Sequence, residues 1–135
     1  MISTKGRYAL RVMIDLAQHS NETYIPLKDI AMRQNISEKY LEIILKVLVK
    51  EKLLKGLRGK GGGYQLTKAP EDYTVGEILE LAEGTLATVA CLTTNAEPCA
   101  RKDTCITLPM WTKFDALVHN FFYQITLADV VNGNV

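Results

Sequence analysis

The sequence has almost no net charge, since 16 basic and 15 acidic side chains leave +1 at pH 7. A whole-molecule field therefore neither draws the chain to nucleic acid or membrane nor keeps it away. No apolar run approaches the ~18–20 residues that a membrane-spanning helix needs. The first dozen residues scatter charges among apolar positions and lack the unbroken core of a signal peptide. These absences lead us to expect a cytoplasmic protein. Proline is scarce, with 4 residues, and 47% of the chain is apolar. That balance points to a folded, helix-rich chain of one domain with an appended element rather than a disordered one. Three cysteines in such a compartment are too few, and odd in number, for a disulfide framework. Catalytic signatures are missing too: there is no phosphate-binding glycine loop opening a helix, no H-E-x-x-H and no nucleophile elbow. Lys60 lacks the context of a phosphate-binding loop, and His19 and His119 stand alone. The chain is expected not to be an enzyme.

What is present is organised around residues 37–66. Leu41, Ile44, Leu45 and Leu48 repeat at the spacing of an amphipathic helix. Ser37 stands at the N-cap position. Lys39, Glu42, Ile43, Lys46 and Lys50 fall on the opposite face. The following LLKGLRGKGGGYQL reads as two short strands around a glycine-rich turn, with Gly59, Gly61, Gly62 and Gly63 permitting positive φ and close approach. Residues 39–60 carry 7 basic and 2 acidic side chains, whereas residues 61–100 carry 1 and 6. The positive field is thus concentrated on one helix and one hairpin. A winged helix-turn-helix needs that arrangement, with the helix in the major groove of double-stranded DNA and the hairpin on the flanking backbone or minor groove. A winged helix that binds protein instead of DNA is the competing module.

Residues 4–20 form an expected first helix with an apolar stripe at Tyr8, Ala9, Val12, Met13, Leu16 and Ala17, capped by Ser3 or Thr4. Lys5, Arg7 and Arg11 lie near its start, where the macrodipole does not favour cations. Nearby phosphates would relieve that conflict, while an ordinary solvated terminus is the alternative. A connector over 21–26 has room for a short strand at 23–25 that pairs with the hairpin. Residues 27–33 form a short helix, and 34–36 the turn before Ser37, which is the helix-turn-helix order. After a loop over 67–73, Thr74 and Glu77 make a capping box for a helix with Val75, Ile78, Leu79 and Ala82 on its buried face. Gly84 ends it.

Periodicity then disappears for 22 residues, a length typical of functional or disordered loops. Cys91, Cys99 and Cys105 lie there within 15 positions, among polar and turn-forming residues. Clustered thiolates suit zinc or an iron–sulfur cluster, and spacing alone does not choose between them. Three ligands leave one position open. Thr107 then caps a helix from about 109 to 125. Its Trp111, Phe114, Leu117, Val118, Phe121 and Phe122 belong to the heaviest apolar stripe in the chain. The winged unit has apolar residues enough for its own core, so part of this stripe is expected to meet a partner, most simply a second copy. The fold expected is mainly α with a small β-hairpin wing: a winged helix-turn-helix at 1–84, a cysteine-bearing loop at 85–106, and a dimerisation helix with a final short helix at 107–135.

STKGRYALRVMIDLA, ISEKYLEIILKVL, LRGKGGGYQL and TVGEILELAEG together resemble the Rrf-two family of bacterial winged-helix regulators. Its branches include IscR-type iron–sulfur regulators, CymR-type regulators of cysteine metabolism and NsrR-type nitric-oxide sensors. The resemblance covers nearly the whole chain. It implies a homodimer crossing its long C-terminal helices, a partly palindromic operator, and transcriptional repression or activation. It implies DNA contacts at Ser37, Lys39, Tyr40, Glu42 and Ile43; Lys46, Gly59 and Lys60 are further candidates on the same basic helix and hairpin. Glu42 falls on the family's acidic base reader, able to accept from a cytosine amino group, and Arg58 on the minor-groove arginine of the wing. Ile43 replaces the glutamine of the IscR pattern. The resemblance also implies an iron–sulfur cluster on Cys91, Cys99 and Cys105. Leu108 stands where IscR-type chains have a ligating histidine, and the first gap between cysteines is seven residues rather than five. His119 stands roughly 16 Å further along the same helix. Where NsrR-type chains borrow a carboxylate from the partner's first helix, this chain has Arg7 and Tyr8. Glu97, Asp103 or a small exogenous ligand remain for the fourth position. The alternative is a clusterless CymR-like regulator controlled by a protein partner or by thiol chemistry.

Overall fold

The computed structural model describes residues 2–19 and 23–135. The expected end of the first helix at Ser20 and the start of the connector at Asn21 lie outside the described residues. The elements run α1 (Thr4–Gln18), α2 (Leu27–Gln34), α3 (Glu38–Lys50), β1 (Leu54–Leu57), β2 (Gly63–Leu66), α4 (Val75–Glu83), α5 (Leu108–Tyr123) and α6 (Leu127–Val131). Single 3-10 turns lie at Pro70–Asp72, inside the expected loop, and at Ala90–Leu92. The architecture is mainly α with one hairpin, as the sequence predicts.

The core forms where the helical stripes meet. Val12, Met13 and Leu16 of α1, Ile30 of α2, Leu41, Ile44, Leu45 and Leu48 of α3 and Ile78 of α4 are all buried in one cluster. Asn35 takes a left-handed conformation, φ 53°, that ends α2 and redirects the chain into α3. Asparagine tolerates that region better than most side chains. β1 and β2 pair antiparallel from Leu54↔Leu66 to Leu57↔Gly63. Ile25 adds one antiparallel bridge to Tyr64, through N–H···O bonds of 2.9 and 2.8 Å. The expected strand at 23–25 is thus a single residue pair. Gly63, at φ +148°, makes it possible, because a Cβ there would lie 2.2 Å from the Ile25 carbonyl oxygen.

Tyr73 anchors the hairpin to the helices. Its ring is buried, its hydroxyl donates to the Leu53 carbonyl at 2.7 Å, and the backbone N–H groups of Thr67 and Lys68 donate back to it. Buried tyrosines need such partners.

Several local expectations change. Ser3 occupies the N-cap of α1, yet its hydroxyl donates to Glu83 rather than capping the helix. Glu83 itself accepts from the Ser3 and Gly6 N–H groups at 2.8 and 3.0 Å, so a carboxylate from α4 satisfies the start of α1. Thr74 accepts from Glu77 N–H at 3.0 Å, but the Glu77 carboxylate faces Lys68 instead of closing the expected capping box. The reciprocal box is at Thr126 and Asp129, at the start of α6. Thr107 precedes α5 without a side-chain cap bond.

The C-terminal segment does not stay apart from the winged unit. Leu127 of α6 is fully buried in the main core. Its N–H donates to the Tyr73 carbonyl at 3.0 Å, and Val75 N–H donates to that of Ile125 at 2.8 Å. The winged unit therefore does not close its core alone; α6 completes it.

A buried carboxylate lies at the other end of α1. Asp15 is fully buried and accepts from Arg33 Nε and Nη2 at 3.0 and 2.8 Å and from Gln34 Nε2 at 2.9 Å. This bidentate pair clamps α2 onto α1. Burial pushes the Asp15 carboxyl up, but the hydrogen bonds from Arg33 and Gln34, together with the Arg33 charge, outweigh it. The group is held below its ordinary value of 3.8.

Candidate nucleic-acid interface and cysteine pocket

α3 is fixed by its apolar side and leaves the other side free. Ser37 Oγ accepts from Tyr40 N–H at 3.2 Å, so the N-cap forms as the sequence predicts. Lys39, Glu42, Ile43, Lys46 and Lys50 are exposed. Tyr40 is half-buried and packs edge-to-face on Tyr8 at 5.8 Å between ring centroids, which makes it partly a core residue. In the wing, Arg58, Gly59 and Lys60 are exposed at the turn. Gly59 and Gly61 take φ +91° and +76°, and Gly62 N–H donates to the Gly59 carbonyl at 3.0 Å. Near the start of α1, Arg7 is exposed, whereas Arg11 bonds Gln34 and lies over the Tyr8 ring at 5.0 Å. Arg11 belongs to the clamp between α1 and α2.

The three cysteines line a single pocket of about 320 Å³ together with Glu97, Lys102 and Leu108. Cys91 and Cys99 are exposed and Cys105 is half-buried. A hydrogen bond with the Thr107 hydroxyl, at 3.5 Å, lowers the Cys105 pKa. Burial opposes that shift, while backbone contacts and the Arg101 charge assist it. The shift is toward the thiolate, the form that reacts and binds metal. Among the described residues, no three His, Cys, Asp or Glu side chains converge closely enough to hold one metal ion. Three thiols are the donor type that zinc and iron–sulfur clusters take, but their arrangement in this chain is not an assembled site. Leu108, where the resemblance to IscR-type chains predicts a histidine, lines the pocket with an apolar side chain. Glu97 shares the lining and Asp103 does not. His119 is engaged within α5, its Nδ1 2.8 Å from the Asp115 carbonyl oxygen.

α5 has no buried residue. Trp111, Phe114, Leu117 and Phe121 are exposed, Leu117 and Phe121 by 68% and 60%. Val118 and Phe122 differ from that expectation. Both are half-buried, and with Ile2, Leu86 and Phe114 they line an apolar pocket of about 220 Å³. Phe122 also packs on Val75, Leu79 and Leu86, so part of the stripe serves the chain's own second core. The loop is tied to α5 by Thr88, whose N–H and hydroxyl both donate to Asp115 Oδ1.

Residues 2–133 match the Rrf2 family, described as an iron-dependent transcriptional regulator. The chain belongs to this family. It is 37% identical to the HTH-type transcriptional regulator IscR of Erwinia tasmaniensis over 132 residues, 98% of this chain and 79% of that protein. CymR (YrzC), the global cysteine regulator of B. subtilis, superposes with a TM-score of 0.77 at 36% identity, over 98% of this chain and 96% of that one. IscR of T. potens gives 0.76 at 36% identity, over 100% and 88%. Membership in the Rrf2 family makes the chain a transcriptional regulator and removes the enzyme alternative. It does not separate the IscR and CymR readings, because both neighbours superpose about equally well.

Proposed function

We propose that this Rrf2 protein is a homodimeric regulator that binds a partly palindromic duplex and senses iron–sulfur or redox status. The exposed set on α3 and the wing carries the reading: Lys39, Glu42, Ile43 and Lys46 on the helix, with Arg58, Gly59 and Lys60 at the turn. Ser37 and Tyr40 border it at the start of α3. In this reading α3 lies in the major groove with Glu42 on a cytosine amino group, and Arg58 probes the minor groove. Lys39, Lys46 and Lys60 meet phosphates, which position the protein without reading sequence. α5 supplies the contact between copies through Trp111, Phe114, Leu117 and Phe121, with Val118 and Phe122 at its inner edge. Among the described residues no helix is long and apolar enough to cross a membrane, in keeping with work in the cytoplasm.

Cys91, Cys99 and Cys105 would hold the cluster, with Glu97, which shares the pocket lining, as a fourth donor. A bound cluster supplies an oxidant-sensitive group whose loss is a signal. The second reading, a clusterless regulator governed by thiol chemistry or a protein partner, is favoured by one observation: Leu108 in the thiol pocket. An anaerobic preparation assayed for iron, sulfide and visible absorption, then tested on duplex before and after air, distinguishes them. The cluster reading predicts iron and sulfide that Cys99→Ser diminishes, with altered duplex binding after air. A colourless protein free of iron and sulfide removes the cluster and leaves the thiol reading.

A further inference from the structure

Most large apolar side chains left exposed lie on α5 or the loop before it. Three lie in the winged unit: Met32, Ile43 and Leu57. Ile43 alone of these stands on α3, 53% exposed, beside Glu42 and one turn from both Lys39 and Lys46. Helix propensity does not account for it, because lysine, glutamine and glutamate are better helix formers at a solvated position. A β-branched side chain in a helix is held near one χ1 rotamer, so Ile43 projects a rigid apolar group between two cations. The cations suit phosphates and the adjacent carboxylate suits an amino group. The apolar group has one complement among base edges in the major groove, the C5-methyl of thymine.

We infer that Ile43 is a specificity residue that packs on a thymine methyl next to the base pair read by Glu42. This inference rests on the proposed docking of α3 in the major groove. Replacing thymine with uracil removes that methyl and leaves every hydrogen-bonding group in place. The full-length protein is first used to select duplexes from a random library. Each thymine of a selected duplex is then replaced by uracil in turn, and affinity is measured at fixed salt.

The expected result is one position per bound α3 where uracil weakens binding by about fourfold, the value of one buried methyl. Ile43→Ala should bind the thymine duplex correspondingly less well and show no preference at that position. Its thermal midpoint should stay unchanged. If selected duplexes bind but no thymine position responds, Ile43 does not read a methyl, while the DNA reading stands. An Ile43→Ala protein that keeps the thymine preference overturns the inference in the same way. If no duplex is enriched, the inference and the DNA reading fall together.

Discussion

A chain carrying Leu117→Lys and Phe121→Lys is expected to sediment as a monomer at micromolar concentration while keeping its helical circular dichroism. Both side chains are exposed and belong to a helix without buried residues, so the single chain loses little. In a two-fold contact each substitution acts twice. Fully burying a leucine or phenylalanine contributes about 1.5–3 kcal/mol, and with Leu117 and Phe121 68% and 60% exposed beforehand the variant forfeits about 4–8 kcal/mol of association energy. A micromolar dimer is held by about 8 kcal/mol. Affinity for a duplex with two half-sites should fall with the dimer, while weak binding to one half-site persists. Analytical ultracentrifugation checks the first outcome, and a variant that remains dimeric places the contact elsewhere.

The second large effect concerns stability. Asp15→Ala should cost about 3 kcal/mol, because it leaves Arg33 and Gln34 facing a buried gap. Arg33 is 28% exposed and regains some hydration, which holds the figure at the low end of values for broken buried pairs. Urea unfolding at neutral pH measures it. The pH dependence has a definite sign. A carboxyl held below its ordinary 3.8 stabilises the fold fully above that value. The contribution is lost as pH falls through the native value. Asp15→Asn should therefore be less stable than wild type at neutral pH, and the difference should shrink below about pH 4. A constant difference between pH 7 and pH 3 would show that the carboxylate charge contributes nothing.

Much of the fold around α3 and the wing was legible because its signals are local. The Ser37 cap, the Leu41–Leu48 stripe of α3, the glycines of the wing and the Gly84 stop each depend on residues a turn or two away. Asp15 was not legible: it interrupts an apolar stripe, and its partners lie 18 and 19 positions on. Glu83 reads as a solvated acid until α4 sets it against the start of α1, 80 residues earlier. Leu127 likewise reads as part of a tail, yet the chain returns it to the core beside Tyr73. Sequence brought the three thiols to one loop, and the fold lines one pocket with them. Neither supplies a fourth donor at Leu108. Sequence did not show which part of the α5 stripe stays within the chain; Phe122 turns inward because Val75, Leu79 and Leu86 offer it a cavity wall.

In the proposed function α3 and the wing are the surface that grips duplex. The most direct test of that role is the salt dependence of affinity for a selected duplex, measured for wild type, Arg58→Ala and Glu42→Ala. Affinity of the wild type should fall steeply and linearly on logarithmic axes as counterions are released. Arg58→Ala should weaken all sequences alike and reduce the slope by about 1, whereas Glu42→Ala should keep the slope and relax base choice at one position. A flat salt response, or the same slope and base profile in all three proteins, would contradict it.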